Sequence, residues 1–168
     1  MKVFEIILLA ILGILVLVFY FIFLKSNQKG DVKTNYFTSP FWFGIPMNIV
    51  KILTIFQILA AIGFLIAIIS WLKKPPKGGI MEKYLFPNLL LFFISASIWP
   101  IAVNKNIIWL TVLSIVLTAI SSILLLAGSI EEKNPRIHIV ISLLFLCIVT
   151  VLGDAVIWNA NYIKKVKK

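Results

Sequence analysis

Five apolar runs, each close to the ~20 residues a helix needs to cross a bilayer core, constrain this chain more than any other feature. They cover residues 6–24, 52–72, 84–103, 107–130 and 137–158, and most are closed by charged residues such as Lys25, Lys51, Lys73, Lys83, Lys105 and Glu131. Buried helices of a water-soluble core do not repeat this length and flanking five times. The composition agrees: 61% of the 168 residues are apolar and 13% charged, against about 45–50% and about 25% in ordinary soluble domains. A soluble domain of this size has too much surface to hide that hydrocarbon. The expected fold is a single all-α membrane-integral bundle of five transmembrane helices.

Helix punctuation fits these limits. Asn134-Pro135 offers an N-cap followed by proline at the first helical position, and Pro46 and Pro87 are placed to open the second and third spans in the same way. The run Lys73-Lys74-Pro75-Pro76-Lys77-Gly78-Gly79 forces a loop. Pro100 is expected to kink or end the third helix. The first run exceeds a signal peptide's ~7–15-residue apolar core, and no small-x-small site follows it, so it reads as a retained helix. It carries only Ala10 and Gly13 as small residues and is expected at the edge of the bundle.

The charge is lopsided, 16 basic residues against 6 acidic for a formal +10. In a soluble protein that balance points to nucleic acid; here the basic residues fall between the apolar runs, where they meet lipid headgroups. Arg136 is the only arginine, and nucleic-acid recognition favours bidentate guanidinium contacts. Nucleic acid is therefore not an expected partner. Lys2, Lys73, Lys74, Lys77, Lys83, Lys133 and Arg136 fall on the N-terminal side. Lys25, Lys29, Lys33, Lys105, Lys164, Lys165, Lys167 and Lys168 fall opposite, with Lys51 at the boundary. That near balance leaves orientation open, with the basic tail 164–168 leaning the C-terminus toward the cytoplasm.

In lipid, small residues mark where helices approach closely. The second span carries Ala60, Gly63, Ala67 and Ser70, and the fourth carries Thr111, Ser114, Thr118 and Ser121, each set on one helical face. Both read as packing seams. The sharper reading of the fourth helix's hydroxyls is a polar permeation wall, but each hydroxyl can bond back to a carbonyl four residues earlier.

Asp154 is the most informative side chain, because a carboxylate inside a spanning helix costs at least ~2.5–3.5 kcal/mol on insertion scales and often marks function. Thr150, four residues before it, and Trp158 and Asn161 after it share one face with it, a polar stripe running toward the interface. Proton or cation binding is one role for Asp154; reaching interfacial water beside Trp158 is the other. Gln57 and Asn88 are its best candidate partners, and both also suit interhelical hydrogen bonding. Lys51 is expected to snorkel, and Glu5 to lie at the interface. His138 stands without any ligand cluster, and Cys147 reads as a small core hydrophobe. No nucleophile elbow, P-loop or dinucleotide fingerprint occurs, so neither an enzyme nor a cofactor is expected.

The longest connection holds an aromatic stretch at 36–46, Tyr36-Phe37-Thr38-Ser39-Pro40-Phe41-Trp42-Phe43-Gly44-Ile45-Pro46. Interfacial anchoring is its plain reading and a lid over an apolar ligand the sharper one. Trp71, Trp99, Trp109 and Trp158 near span ends follow the same interfacial-belt logic. In size, five spans and aromatic loop the chain resembles the architecture of the tryptophan-rich sensory (translocator) protein family of small five-helix membrane proteins. That family's proline- and tryptophan-rich ligand motifs are not reproduced by Ser39-Pro40-Phe41-Trp42 and Pro46, so no site residue is carried over.

The leading expectation is a non-enzymatic multi-pass membrane protein acting in structure, assembly or scaffolding through the small-residue faces. Its partners would be the bilayer and other membrane proteins or further copies of the chain. The alternatives are a small ion or proton channel or transporter subunit using Asp154, and a lipophile-binding membrane protein.

Overall fold

The computed structural model describes residues 3–26, 42 and 44–166, with the side chains of 23–26 excluded. Five helices account for nearly all of it: α1 Val3–Ser26, α2 Met47–Lys73, α3 Gly79–Asn104, α4 Ile108–Ile130 and α5 Ile137–Val166. All five are long and apolar enough to cross a membrane, and the fold is an all-α bundle. No strand occurs among the described residues.

Several boundaries differ from the sequence expectation. α3 starts at Gly79, so Pro87 lies inside the helix, and the helix runs through Pro100 to Asn104. Both prolines are tolerated in a long apolar helix whose neighbours pack around the freed backbone. α5 begins at Ile137 with Arg136 as its N-cap rather than Asn134. Pro46 does stand immediately before the first residue of α2. α5 also passes Trp158 and reaches Val166, and its middle is unusual: Ile148–Trp158 is π-helical, between α-helical turns Ile137–Cys147 and Asn159–Val166. Such i→i+5 stretches are rare, usually one turn long, and frequent at functional sites.

The helices pack in the order α1–α3–α4–α5–α2. This is an arc, and its two ends, α1 and α2, make no extensive contact with each other. The α2–α5 approach depends on Gly63: a Cβ there would lie 3.0 Å from Ser142 Cα. The α3–α4 turn is tight, with Asn106 in the left-handed region at φ 55°, a conformation Asn accepts more readily than most residues.

One end of the bundle is tied by the sole arginine. Arg136 Nη1 donates to Ser70 O at 3.1 Å and Lys74 O at 2.8 Å, and Nη2 meets both Glu132 carboxylate oxygens at 3.2 Å. The guanidinium thereby engages the Lys74 carbonyl past the end of α2 and adds a second donor to Ser70 O, which already accepts the Lys74 N–H. His138 is exposed at the same end, its Nε2 3.2 Å from Ser70 Oγ.

Two apolar clusters fill the interior. The larger is built on Phe64, Trp71, Phe92, Phe93, Leu125 and Leu143. The other gathers Trp42, Leu53, Trp99, Ile115, Trp158 and Tyr162. The interfacial-belt expectation fails for three tryptophans. Trp71, Trp99 and Trp158 are buried, with Trp158 2% exposed, stacked on Tyr162 and edge-on to Trp99. Only Trp109, at 68% exposure, stands out from the bundle. The aromatic stretch 36–46 lies mostly outside the described residues; within it Trp42 and Ile45 are buried.

Candidate functional site

The gap in the arc between α1 and α2 is a cavity of about 670 Å³, within the ~300–1,000 Å³ range of small-molecule sites. α1 forms one wall from Ile6 to Tyr20, and α2 forms the other from Gln57 to Leu72. α3 supplies Phe92, Phe93 and Trp99 behind them, and α5 supplies Leu146, Val149, Thr150 and Asp154. The walls form as they do because α1 and α2 lean on different neighbours. α1 rests on α3, where Gly13 comes against the Phe93 ring (a Cβ at Gly13 would sit 3.6 Å from it), while α2 rests on α5. Phe64 bridges inward to Phe92 and Phe93 at ring separations of 4.9 and 5.8 Å. Leu17 and Leu65 line the cavity yet are 71% and 60% exposed, so the mouth lies between α1 and α2 on the outer flank of the bundle.

Polar groups on the wall are few, and most are already engaged. Thr150 Oγ1 donates to Leu146 O at 2.9 Å and lies 2.6 Å from Ser122 Oγ. Thr118 Oγ1 lies 2.9 Å from Ser114 O and 2.8 Å from Ser95 Oγ. Tyr20 Oη accepts the Trp99 indole N–H at 2.8 Å, with the rings edge-on. Gln57 has an interaction of its own. Asp154 differs. It is half-buried by area, enclosed by neighbouring protein, and among the described residues no hydrogen bond or ion pair reaches its carboxylate.

The structure brings together three of the residues singled out around the acid: Asp154, Thr150 and Gln57. It separates the others. Asn88 does not face the cavity; its Nδ2 donates to Ser121 O at 3.2 Å across the α3–α4 contact. Trp158 packs into the aromatic cluster, and Asn161 Nδ2 bonds back to Ile157 O at 2.8 Å. Lys51 is exposed on α2 and Cys147 is buried on α5. The stripe imagined along one face of a regular helix is broken by the π-helical register, which leaves Asp154 on the cavity wall and turns Trp158 inward.

The small-residue faces are occupied within the chain. Ala60, Gly63 and Ala67 are buried on α2, with Gly63 against Ser142 of α5, and Ser70 is half-buried beside Arg136 and His138. Thr111, Ser114, Thr118 and Ser121 are all buried on α4. Thr111 Oγ1 donates to Ile107 O and Ser114 Oγ to Thr111 O, both at 3.0 Å, and Thr118 also reaches Ser95 of α3. Thr118 thus bonds across the α3–α4 contact, whereas Thr111 and Ser114 bond locally on α4.

Tyr20, Phe93 and Trp99 belong to the site without having been singled out for it. Tyr20 had a signal, as the only residue in the first apolar run with a polar tip; the other two had none, because which face of α3 turns toward α1 is decided by packing. No protein-family model matches the chain, and neither a curated protein nor a solved structure is detectably similar to it.

Proposed function

We propose that this chain is a multi-pass membrane protein that holds a lipophilic small molecule or single lipid chain in the cleft between α1 and α2. The observation that carries this reading is the cavity itself, about 670 Å³, walled almost wholly by aliphatic and aromatic side chains. Sites for small lipophiles have this form, mostly apolar walls with a few polar groups fixing orientation. The cleft's mouth on the bundle's flank supports entry from the hydrocarbon rather than from water. Scaffolding through the small-residue faces finds less support, because those faces are buried against the chain's own helices.

Photolabelling tests the proposal. The protein in phosphatidylcholine vesicles is irradiated with a long-chain alcohol bearing a diazirine, and the adducts are mapped. The expected adducts fall on Gly13, Leu17, Leu65 and Phe93, and Ala61→Trp, which places an indole in the mouth, lowers them several-fold. Adducts spread evenly over the exposed faces of α2 and α4 and indifferent to Ala61→Trp would overturn it.

A further inference from the structure

Among the described residues the wall of the cleft carries no Lys, Arg or His, and Asp154 is its only acid. The chain's other described acids, Glu5, Glu82, Glu131 and Glu132, sit at helix ends or in connections. Glu82 accepts the Gly78 N–H at 2.6 Å, Glu132 pairs with Arg136, and Glu5 is engaged as well. Among the described residues Asp154 has no such partner, and neighbouring protein surrounds it. A carboxylate so placed is costly unless something offsets it with opposite charge and hydrogen-bond donors.

The rest of the wall decides what can do so. Thr118, Thr150 and Tyr20 are engaged with protein neighbours, so the carboxylate is the group left to choose the ligand's polar end. A hard inorganic cation takes about six or more oxygen ligands. Among the described residues no group of three or more His, Cys, Asp or Glu side chains gathers anywhere. An ammonium group needs only one carboxylate, and a hydrocarbon attached to it fits the apolar remainder. The position of Asp154 fits too. With Tyr20 and Trp99 it lies toward the end of the bundle where α3 passes into α4, while Ile6 and Leu72 line the far end. The α1 wall between Ile6 and Tyr20 is about 21 Å long at ~1.5 Å per residue, more than one leaflet of a ~30 Å core.

We propose that the cleft selects a single-chain lipophile with a cationic amine head, the ammonium seated on Asp154 and the hydrocarbon lying along α1 and α2 toward Ile6 and Leu72. This rests on the cleft reading above and adds the chemistry of the head. The pairing is a charge-assisted hydrogen bond in a water-poor site, stronger than a neutral one.

The test uses two diazirine probes of equal chain length, a primary amine and an alcohol, with the full chain in neutral phosphatidylcholine vesicles. The amine is expected to label the cleft at about tenfold lower membrane concentration than the alcohol, the preference a net charge-assisted bond gives. Asp154→Asn is expected to remove that preference while leaving alcohol labelling intact, and Asp154→Glu to keep most of it. Equal labelling by both probes in the unaltered protein overturns the inference but not the cleft. So does an amine preference that survives Asp154→Asn, which would belong to the vesicle surface. Cleft labelling by neither probe overturns both readings.

Discussion

The α3–α4 seam and the α1–α2 cleft are built from the same kind of sequence, long apolar helices with an occasional polar residue, yet they end in opposite states. In the seam several hydroxyls reach a carbonyl on their own helix, and Asn88 reaches across to Ser121 O. Thr111, Ser114 and Thr118 bond locally, and Thr118 and Ser95 then join across the interface. Close approach follows, and the seam closes. In the cleft five of the eight lining residues of α1 are large and aliphatic, the others being Ala10, Gly13 and Tyr20, and they lie opposite Gln57, Ala61 and Leu65 of α2. Nothing there draws the two helices together, since burying leucine against leucine gains little over leucine against lipid. Hydroxyls close an interface because they can be satisfied at home. A carboxylate cannot, and among the described residues Asp154 remains as the cleft's unmatched group.

The contrast can be broken from either side. The largest effect is expected at Gly63, on the packed side of α2. Gly63→Leu drives a side chain into the backbone of α5 at Ser142 and should destabilise the bundle by about 3 kcal/mol, read from denaturant or SDS unfolding of the purified protein. Unchanged stability would mean that α2 and α5 do not approach as described. Next, Asp154→Leu removes a carboxylate with no partner and should stabilise the fold by about 2 kcal/mol, the reverse of the usual result of altering an inward-facing residue. A loss of stability instead would show that the acid is bonded within the chain and that the cleft has no unmatched group. The smallest effect belongs to the seam. Thr118→Val keeps the shape and removes the Ser95 contact, at a cost of about 0.6 kcal/mol, the usual size for hydrogen bonds between membrane helices. A cost several times larger, in the same unfolding measurement, would make the seam's hydroxyls a cooperative network rather than a set of local bonds.

The five helices were legible because length and apolarity are properties of each segment alone. Their ends were less so. The charge at Lys83 looked like a boundary, but α3 begins earlier, at Gly79, where Gly78 at φ 75° caps it and donates to Glu82. Asp154 was conspicuous as an acid in an apolar run, and its neighbour Gln57 was nameable for the same reason. Asn88 was equally conspicuous and belongs elsewhere, because a polar residue in a helix reveals its existence but not its azimuth in the bundle. Phe93 and Trp99 were invisible as site residues among so many aromatics. The π-helical stretch of α5 had no signature at all: its i→i+5 register is not encoded in any periodicity of Ile148–Trp158 that separates it from an α-helix.

The placement of the mouth also determines the scale on which binding is to be expressed. Leu17 and Leu65 stand on the flank of the bundle, so on the proposed reading the phase in equilibrium with the cleft is the hydrocarbon, where a lipophile is already free of water. Transfer into the cleft then gains little from the hydrophobic effect, which the bilayer has supplied beforehand. Occupancy follows the ligand's mole fraction in lipid rather than its dissolved concentration. Adding empty vesicles at fixed total ligand should empty the site by dilution within the membrane, even though nothing in the aqueous phase competes for it.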